Sequence, residues 1–401
     1  MGAPRFPALR HRDFRLFLAG QVVSLCGTWM QGLALSWLVY RLTNSTVLMG
    51  TIGFCSTIPV LLLSPAAGVA ADRYSRRWIV IAAQSAFLAQ ALALAVLTLT
   101  NRVTAPALIA LALVSGVINA FDIPARQSLY ILLVGKEDLS NAITLNSMTF
   151  NTARVVGPAA GGFFIGAFGE GLCFLVNAAT YVGVLLSLWV MRAAEPPRQP
   201  AADPLRRLRE GFRFAWTTPA LRAMLATTAI ANVATTPVNT LGPIFADRIF
   251  GRGSHGLGML IGALGLGAVA GTAELTRHTG TDRFLARTIL VSAAGGTAAL
   301  AVYALSSRFG ISMAAMAVLG LSLFRQLAAT NSLIQHSIPD EYRGRIMSLY
   351  SMTVVGVLPI GNLLSGAAAE WIGVRATVMA GALLGLAGAV VWFRARPQSL
   401  R

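Results

Sequence analysis

Two carboxylates, Asp122 and Glu274, lie inside long apolar stretches of this 401-residue sequence. An ionisable group at membrane depth is expensive and defaults to a functional role. A carboxylate held away from water takes up a proton more readily than one in solution, so both are candidate proton carriers, Asp122 first and Glu274 second. Arg126 stands four residues after Asp122, and an ion pair at that helical spacing would instead keep the carboxylate charged and make it structural. Arg154 lies roughly 13 residues, about 20 Å, into a further apolar stretch. It is a candidate to meet an anionic substrate group or to partner Asp122.

Uncharged polar residues recur at helical steps of three and four in the same kind of stretch. One stretch carries Gln21, Ser24, Thr28 and Gln31; another carries Thr228, Asn232, Thr235 and Asn239. A third carries Ser115, Asn119, Asp122 and Arg126, and a fourth Ser322, Arg325 and Gln326. Such stripes either bond neighbouring helices, at roughly 0.6 kcal/mol per contact, or line a water-accessible path. Their recurrence in pairs of matching stretches favours a path, with Gln21, Thr28, Gln31, Asn119, Arg154, Asn232, Thr235, Asn239, Arg325 and Gln326 as candidates to line it.

The elements that position these groups must be membrane helices. The chain is 55% hydrophobic and only 12% charged, against about 25% charged in soluble domains. Its apolar blocks run to about 20–28 residues, enough to cross a hydrocarbon core of about 30 Å as helix. They lack the alternation of a transmembrane strand, and backbone groups in lipid must pair within their own segment. Helices are expected near 14–41, 47–71, 77–100, 105–128, 141–168, 171–191, 218–246, 254–275, 285–306, 309–334, 344–369 and 373–393. The first block is too long for a signal-peptide core and lacks a small-residue cleavage site, so it reads as a retained span.

A net charge of +17 raises the question of a nucleic-acid partner. Position answers it. Arg41, Arg102, Arg248, Arg252, Arg308 and Arg375 fall on one side of the expected membrane, and Arg154 and Arg325 lie inside spans. The other Lys and Arg gather at the N-terminus, the even-to-odd connections and the C-terminus. That bias is the positive-inside pattern, placing both termini in the cytoplasm of a multi-pass protein of the cell (inner) membrane. Basic residues spread over many short loops make no nucleic-acid footprint. Three cysteines (Cys26, Cys55, Cys173) and four dispersed histidines give neither a disulfide framework nor a metal site, and no cofactor is expected.

The hydrophobic rhythm breaks once, around 193–217, with Glu195-Pro196-Pro197-Arg198-Gln199-Pro200 followed by Leu205-Arg206-Arg207-Leu208-Arg209. Residues 1–192 and 218–401 then form two six-span bundles joined by a cytoplasmic linker. The stretch from Pro204 to Trp216 reads either as an amphipathic helix on the membrane surface or as a plain tether. Shifting the chain by 204 positions aligns Ser147-Met148-Thr149 with Ser351-Met352-Thr353, and Gly157, Gly162 and Gly169 with Gly361, Gly366 and Gly373. An ungapped internal repeat of this kind is the mark of a two-halved transporter.

Between spans two and three lies Gly68-Val69-Ala70-Ala71-Asp72-Arg73-Tyr74-Ser75-Arg76-Arg77. It resembles the loop signature G-x-x-x-D-R-x-G-R-R of the major facilitator superfamily, with Ser75 in place of the second glycine. The resemblance implies that Gly68, Asp72, Arg73, Arg76 and Arg77 form a gating loop, the Asp at a neighbouring helix end and the arginines latching the cytoplasmic gate. Gly157-Pro158-Ala159-Ala160-Gly161-Gly162 resembles the end of the superfamily's antiporter signature, carried here by Gly157, Pro158, Gly161 and Gly162, with Ala153 replacing an earlier glycine. The arginine of the superfamily's span-four motif is absent from the middle of that helix. The stretches from Phe121 to Gln127 and from Asn141 to Ser147 resemble the branch that holds enterobactin exporters and macrolide efflux pumps.

The resemblance implies an all-α major facilitator fold of about twelve transmembrane helices in two six-helix pseudo-repeat bundles. It implies a monomeric secondary transporter, working by alternating access, that exports a small amphipathic drug, macrolide or siderophore in exchange for protons. An importer or facilitator of a small nutrient is the alternative, and a non-transporting sensor would lack a signalling domain. An enzyme would need a nucleophile–base or metal constellation at matched depth, which the sequence does not offer.

Overall fold

A computed structural model describes residues 6–192, 204–277 and 280–395, except the side chains of 204–209, 211 and 276. The Pro-rich break at 195–200 lies outside the described residues. The helices are α1 (Arg12–Thr43), α2 (Thr46–Arg73), α3 (Arg76–Leu99), α4 (Ala105–Val134), α5 (Leu139–Phe168), α6 (Glu170–Val190), α7 (Pro204–Thr217), α8 (Pro219–Ile244), α9 (Gly253–Thr276), α10 (Asp282–Leu305), α11 (Phe309–Ser337), α12 (Asp340–Gly356), α13 (Leu358–Ile372) and α14 (Val374–Ala395). Among the described residues there is no strand. The fold is all-α, as the block lengths require.

Ten spans among the described residues are long and apolar enough to cross a membrane, with α12 and α13 together counting as one. About twelve were expected. The two others, α5 and α8, are 30 and 26 residues long, sufficient to cross as helix. Their Asn, Ser and Thr residues lower their hydropathy, and these are the helices that carry Arg154 and the Thr228–Asn239 stripe. The single expected span at 344–369 is instead broken at Val357. Pro359 supplies no N–H to the preceding turn, and the Val357 N–H turns back to the Val355 carbonyl.

Contacts group the chain into two units, one of Met1–Leu38 with Ile58–Ala202 and the other of Val39–Thr57 with Asp203–Arg401. The first unit packs Phe14, Phe17, Val80, Leu129, Leu133 and Leu188 into one buried cluster, and Phe87, Ala91, Ile118 and Tyr181 into another. The second unit buries Leu221, Met224, Ile289, Leu333, Ile346 and Trp392 together. In that unit α7 stacks Phe214 on Tyr342 of α12, centroids 4.3 Å apart, and Glu210 pairs with Arg345 at 3.2 Å.

The repeat is written into the backbone. Gly169 and Gly373, 204 positions apart, hold φ of 81° and 82°, a left-handed conformation that favours glycine. Each N–H bonds the carbonyl four residues back, Ile165 at 2.9 Å and Ala369 at 3.1 Å. Each thereby ends one helix, α5 or α13, and starts the next. Gly157 and Gly361 are likewise matched: a Cβ on Gly157 would lie 2.5 Å from Trp29 Cβ of α1, and one on Gly361 would lie 2.6 Å from Thr236 Oγ1 of α8.

Candidate functional site

In the first unit the α4 stripe turns inward. Asp122 is 1% exposed, and its Oδ2 lies 2.9 Å from Arg126 one turn on. Gln84 of α3 donates to Asp122 Oδ1 at 3.0 Å, and Arg126 donates to Gln21 Oε1 of α1 at 3.3 Å. Gln21 and Gln84 are each 2% exposed. A charge pair this deep is held by reciprocal neutralisation and by the amides that fill its remaining hydrogen-bond positions.

A second polar layer ties α1 to α3 and α6. Gln31 donates to Gln90 at 3.0 Å and accepts from Asn177 at 2.7 Å. Thr28 lies 3.1 Å from the Tyr181 hydroxyl, whose ring stacks on Phe87 at 5.7 Å. Gly27 allows α6 to come close enough for this, since a Cβ there would meet the Thr180 hydroxyl at 2.7 Å. Gln21 and Gln31 thus bond neighbouring helices within the unit, whereas Thr28 is exposed and Asn119 half-buried, its amide donating to Ser115 of its own helix. Gln84, Gln90, Asn177 and Tyr181 belong to this network although sequence reasoning did not single them out. The four-residue step from Asn177 to Tyr181 was the one available signal.

Arg154 projects from α5 with its guanidinium carbon 5.0 Å from the Phe150 ring centre and 5.3 Å from that of Trp29. Those rings meet edge to face at 5.7 Å. It therefore sits between aromatic faces, and Asp122 pairs with Arg126. Pro158, four residues on, cannot donate to the Arg154 carbonyl. Gly157, Pro158, Gly161 and Gly162 are all buried, and Gly161 faces Met30 of α1 as Gly157 faces Trp29. Gly157 and Gly161 set the α1–α5 approach.

The residues expected to form a gating loop sit where α2 gives way to α3. Gly68 is half-buried, Asp72 and Arg73 are exposed, and Arg76 and Arg77 are half-buried. Arg77 donates to the Trp189 carbonyl at 3.1 Å. Ser75, the departure from the superfamily pattern, caps α3 by accepting from the Trp78 N–H at 3.3 Å, a standard N-cap role.

In the second unit Asn232 is buried, Thr235 half-buried and Asn239 exposed along α8, and Asn232 and Thr235 donate to carbonyls one turn back. Glu274 of α9 pairs with Arg325 of α11 at 3.0 Å, its side chain 43% exposed. Gln326, 2% exposed, points elsewhere. The α1–α2 hairpin also bonds within this unit: Tyr40 donates to Asp247 at 2.7 Å, Thr46 to Glu370 at 2.9 Å, and Arg248 to Asn44 at 3.1 Å. Gly50 and Gly366 bring their helices together there. No stripe in the sequence marked these contacts.

The profile of the family described as "Transmembrane secretion effector" matches residues 3–400. The chain belongs to that family of the major facilitator superfamily. It is 26% identical to the staphyloferrin A transporter of Staphylococcus aureus over 370 residues, which is 90% of this chain and 91% of the relative. It is 27% identical to the enterobactin exporter EntS of Shigella boydii over 363 residues, 89% and 85% of the two chains. Among solved structures, the nucleoside transporter NupG superposes with a TM-score of 0.75 at 13% identity, over 96% of this chain and 99% of that one. A bacterial homologue of the lysosomal transporter Spinster, inward-facing and occupied, superposes with a TM-score of 0.75 at 14% identity, over 98% and 97%. At these identities the structures establish the fold, and the sequence relatives establish a multi-pass membrane transporter.

Proposed function

We propose that this transporter exports a small amphipathic molecule of siderophore type across the cell (inner) membrane, by alternating access and in exchange for protons, with both termini cytoplasmic. Near full-length similarity to a staphyloferrin A transporter and an enterobactin exporter supports the substrate class. The positive-inside bias supports the orientation. The observation that carries the coupling is the buried Asp122–Arg126 pair with its Gln84 and Gln21 supports. Substrate binds from the cytoplasm to the form in which Asp122 is ionised and paired with Arg126; a proton taken up by Asp122 from outside breaks the pair and disfavours substrate, so that the two exclude each other as exchange requires. Release of the proton to the cytoplasm restores the pair and the substrate-binding form. Arg154, seated on Trp29 and Phe150, offers a cationic contact for an anionic substrate group. Glu274, paired with Arg325 and more exposed, is the second and weaker candidate for coupling.

The test uses everted membrane vesicles from an efflux-deficient host, with staphyloferrin A, enterobactin and a macrolide as probes. Uptake into everted vesicles, driven by an imposed proton gradient and accompanied by proton movement, is the expected result for at least one siderophore. Asp122→Asn should abolish the coupling while the protein is still made and inserted. Full coupling in that variant would remove Asp122 from the mechanism, and uptake only in right-side-out vesicles would reverse the direction.

A further inference from the structure

Inside the second unit, α8, α10, α11 and α14 enclose a cavity lined by residues that include Thr227, Thr235, Ser292, Thr297 and Gln326. About 20 Å³ of it can be reached by the centre of a water molecule, room for roughly one or two waters. Four side-chain atoms lining it are buried without a hydrogen-bond partner: Thr227 Oγ1, Ser292 Oγ, Thr297 Oγ1 and Gln326 Nε2. Thr227 and Gln326 are 2% exposed and Ser292 3%. Gly385 keeps the cavity open on the α14 side, since a Cβ there would lie 2.8 Å from the Thr297 hydroxyl.

The chemistry of the lining selects the occupant. A dry cavity would leave four buried polar atoms unsatisfied, each at a cost comparable to a lost hydrogen bond. No lining residue is ionisable, so a bound ion would have no compensating charge. An apolar ligand would satisfy none of the four atoms. Water meets the need of each: it accepts from the Gln326 amide and from a hydroxyl, and donates to a hydroxyl oxygen, so one or two waters in this space supply the missing partners. Two to four polar partners in a space of this size is the usual setting of a buried structural water.

We propose that this cavity is an ordered-water site that joins α8 to α10 and α11 through Thr227, Ser292, Thr297 and Gln326. Gln326 stands 204 positions after Asp122, so it occupies the repeat-matched place. Where the first unit fills that depth with a charged pair, the second fills it with neutral groups and water. The joint positions α8 at the level of Thr235, the residue of the α8 stripe that lines the cavity.

The experiment is thermal unfolding of the purified full chain, with Thr227→Val, Ser292→Ala, Gln326→Leu, the triple variant and the conservative Thr227→Ser. If water bridges the groups, each removal strands the others, and each single variant should melt about 2–4 °C lower. The triple variant should lose less than the sum of the singles, and Thr227→Ser should melt as the parent does. Single variants that each raise the melting temperature, adding up in the triple, would mean a dry cavity and overturn the proposal. So would a stabilisation of the parent by sodium over choline, or by chloride over gluconate, that the triple variant lacks, since that marks an ion site. A high-resolution density map provides a readout independent of folding: a peak within hydrogen-bond distance of Gln326 Nε2 is expected, and a featureless cavity refutes the water.

Discussion

Replacing Asp122 by Ala is the sharpest perturbation of the first unit's polar core. The change removes the acceptor of Gln84 Nε2 and the counter-charge of Arg126, 2.9 Å away. Breaking a buried ion pair by deleting one partner costs about 3–5 kcal/mol. With the Arg126 side chain 20% exposed and not fully enclosed, the lower end, about 3 kcal/mol, applies. At about 2–4 °C per kcal/mol this is a fall of roughly 6–12 °C in melting temperature. Arg126→Met strands a carboxylate that is 1% exposed and should cost at least as much. The double variant removes both charges and leaves two amides each short of a partner, about 1–3 kcal/mol apiece. The double variant should therefore lose less than the sum of the singles, with a coupling of up to about 4 kcal/mol, read by thermal unfolding of purified protein. Additive single losses, or an Asp122→Asn variant that melts like the parent, would mean that the pair is not ionised at rest. That outcome would refute the account of the site as a neutralised charge pair.

Smaller perturbations check the helix junctions. Ser75→Ala should lower stability by about 1 kcal/mol through loss of the α3 cap, while Ser75→Gly, which restores the superfamily pattern, should cost only a few tenths; the order of their melting temperatures decides. Gly157→Ala should destabilise by about 1–3 kcal/mol, because the new Cβ would crowd Trp29 and the Cys26 carbonyl. Gly68→Ala meets nothing within 4 Å and should melt at or above the parent by up to about 1 kcal/mol. If Gly68 serves the gating loop, transport in the same vesicles falls despite that stability.

What was legible in the sequence followed from constraints local to one helix. Lipid forces each span to satisfy its own backbone, so block lengths located the helices to within a few residues over most of the chain. Gly169 and Gly373 announced two equivalent helix ends because only a residue without Cβ holds that φ comfortably. The partners of the stripes were not legible. Gln84 and Gln90, six positions apart on α3, share no face at helical spacing, yet each completes a different polar layer because α1 and α4 reach α3 at different depths. The hydroxyls of Thr227, Ser292 and Thr297 looked like ordinary small polar residues until packing set them around one cavity. The α1–α2 hairpin gave no sign that Tyr40 would meet Asp247, since that contact spans 207 positions.

The two units thereby differ in what a proton can do to them. In the proposed mechanism a proton on Asp122 neutralises a group with 1% exposure and takes the counter-charge from Arg126, so binding of a proton and breaking of the pair are one event. Gln326, at the matched place, has no charge to lose, and water can rearrange around it without such a penalty. Glu274 is paired with Arg325 with its side chain 43% exposed, so it is held far less deeply than Asp122. A carrier that must switch the protein between states needs the uncompensated case. On the proposed reading Asp122, 1% exposed, suits this requirement better than Glu274, whose side chain is 43% exposed. Loss of coupling in Asp122→Asn with retained coupling in Glu274→Gln is therefore the pattern that burial dictates, and the reverse pattern would mean that burial does not select the carrier.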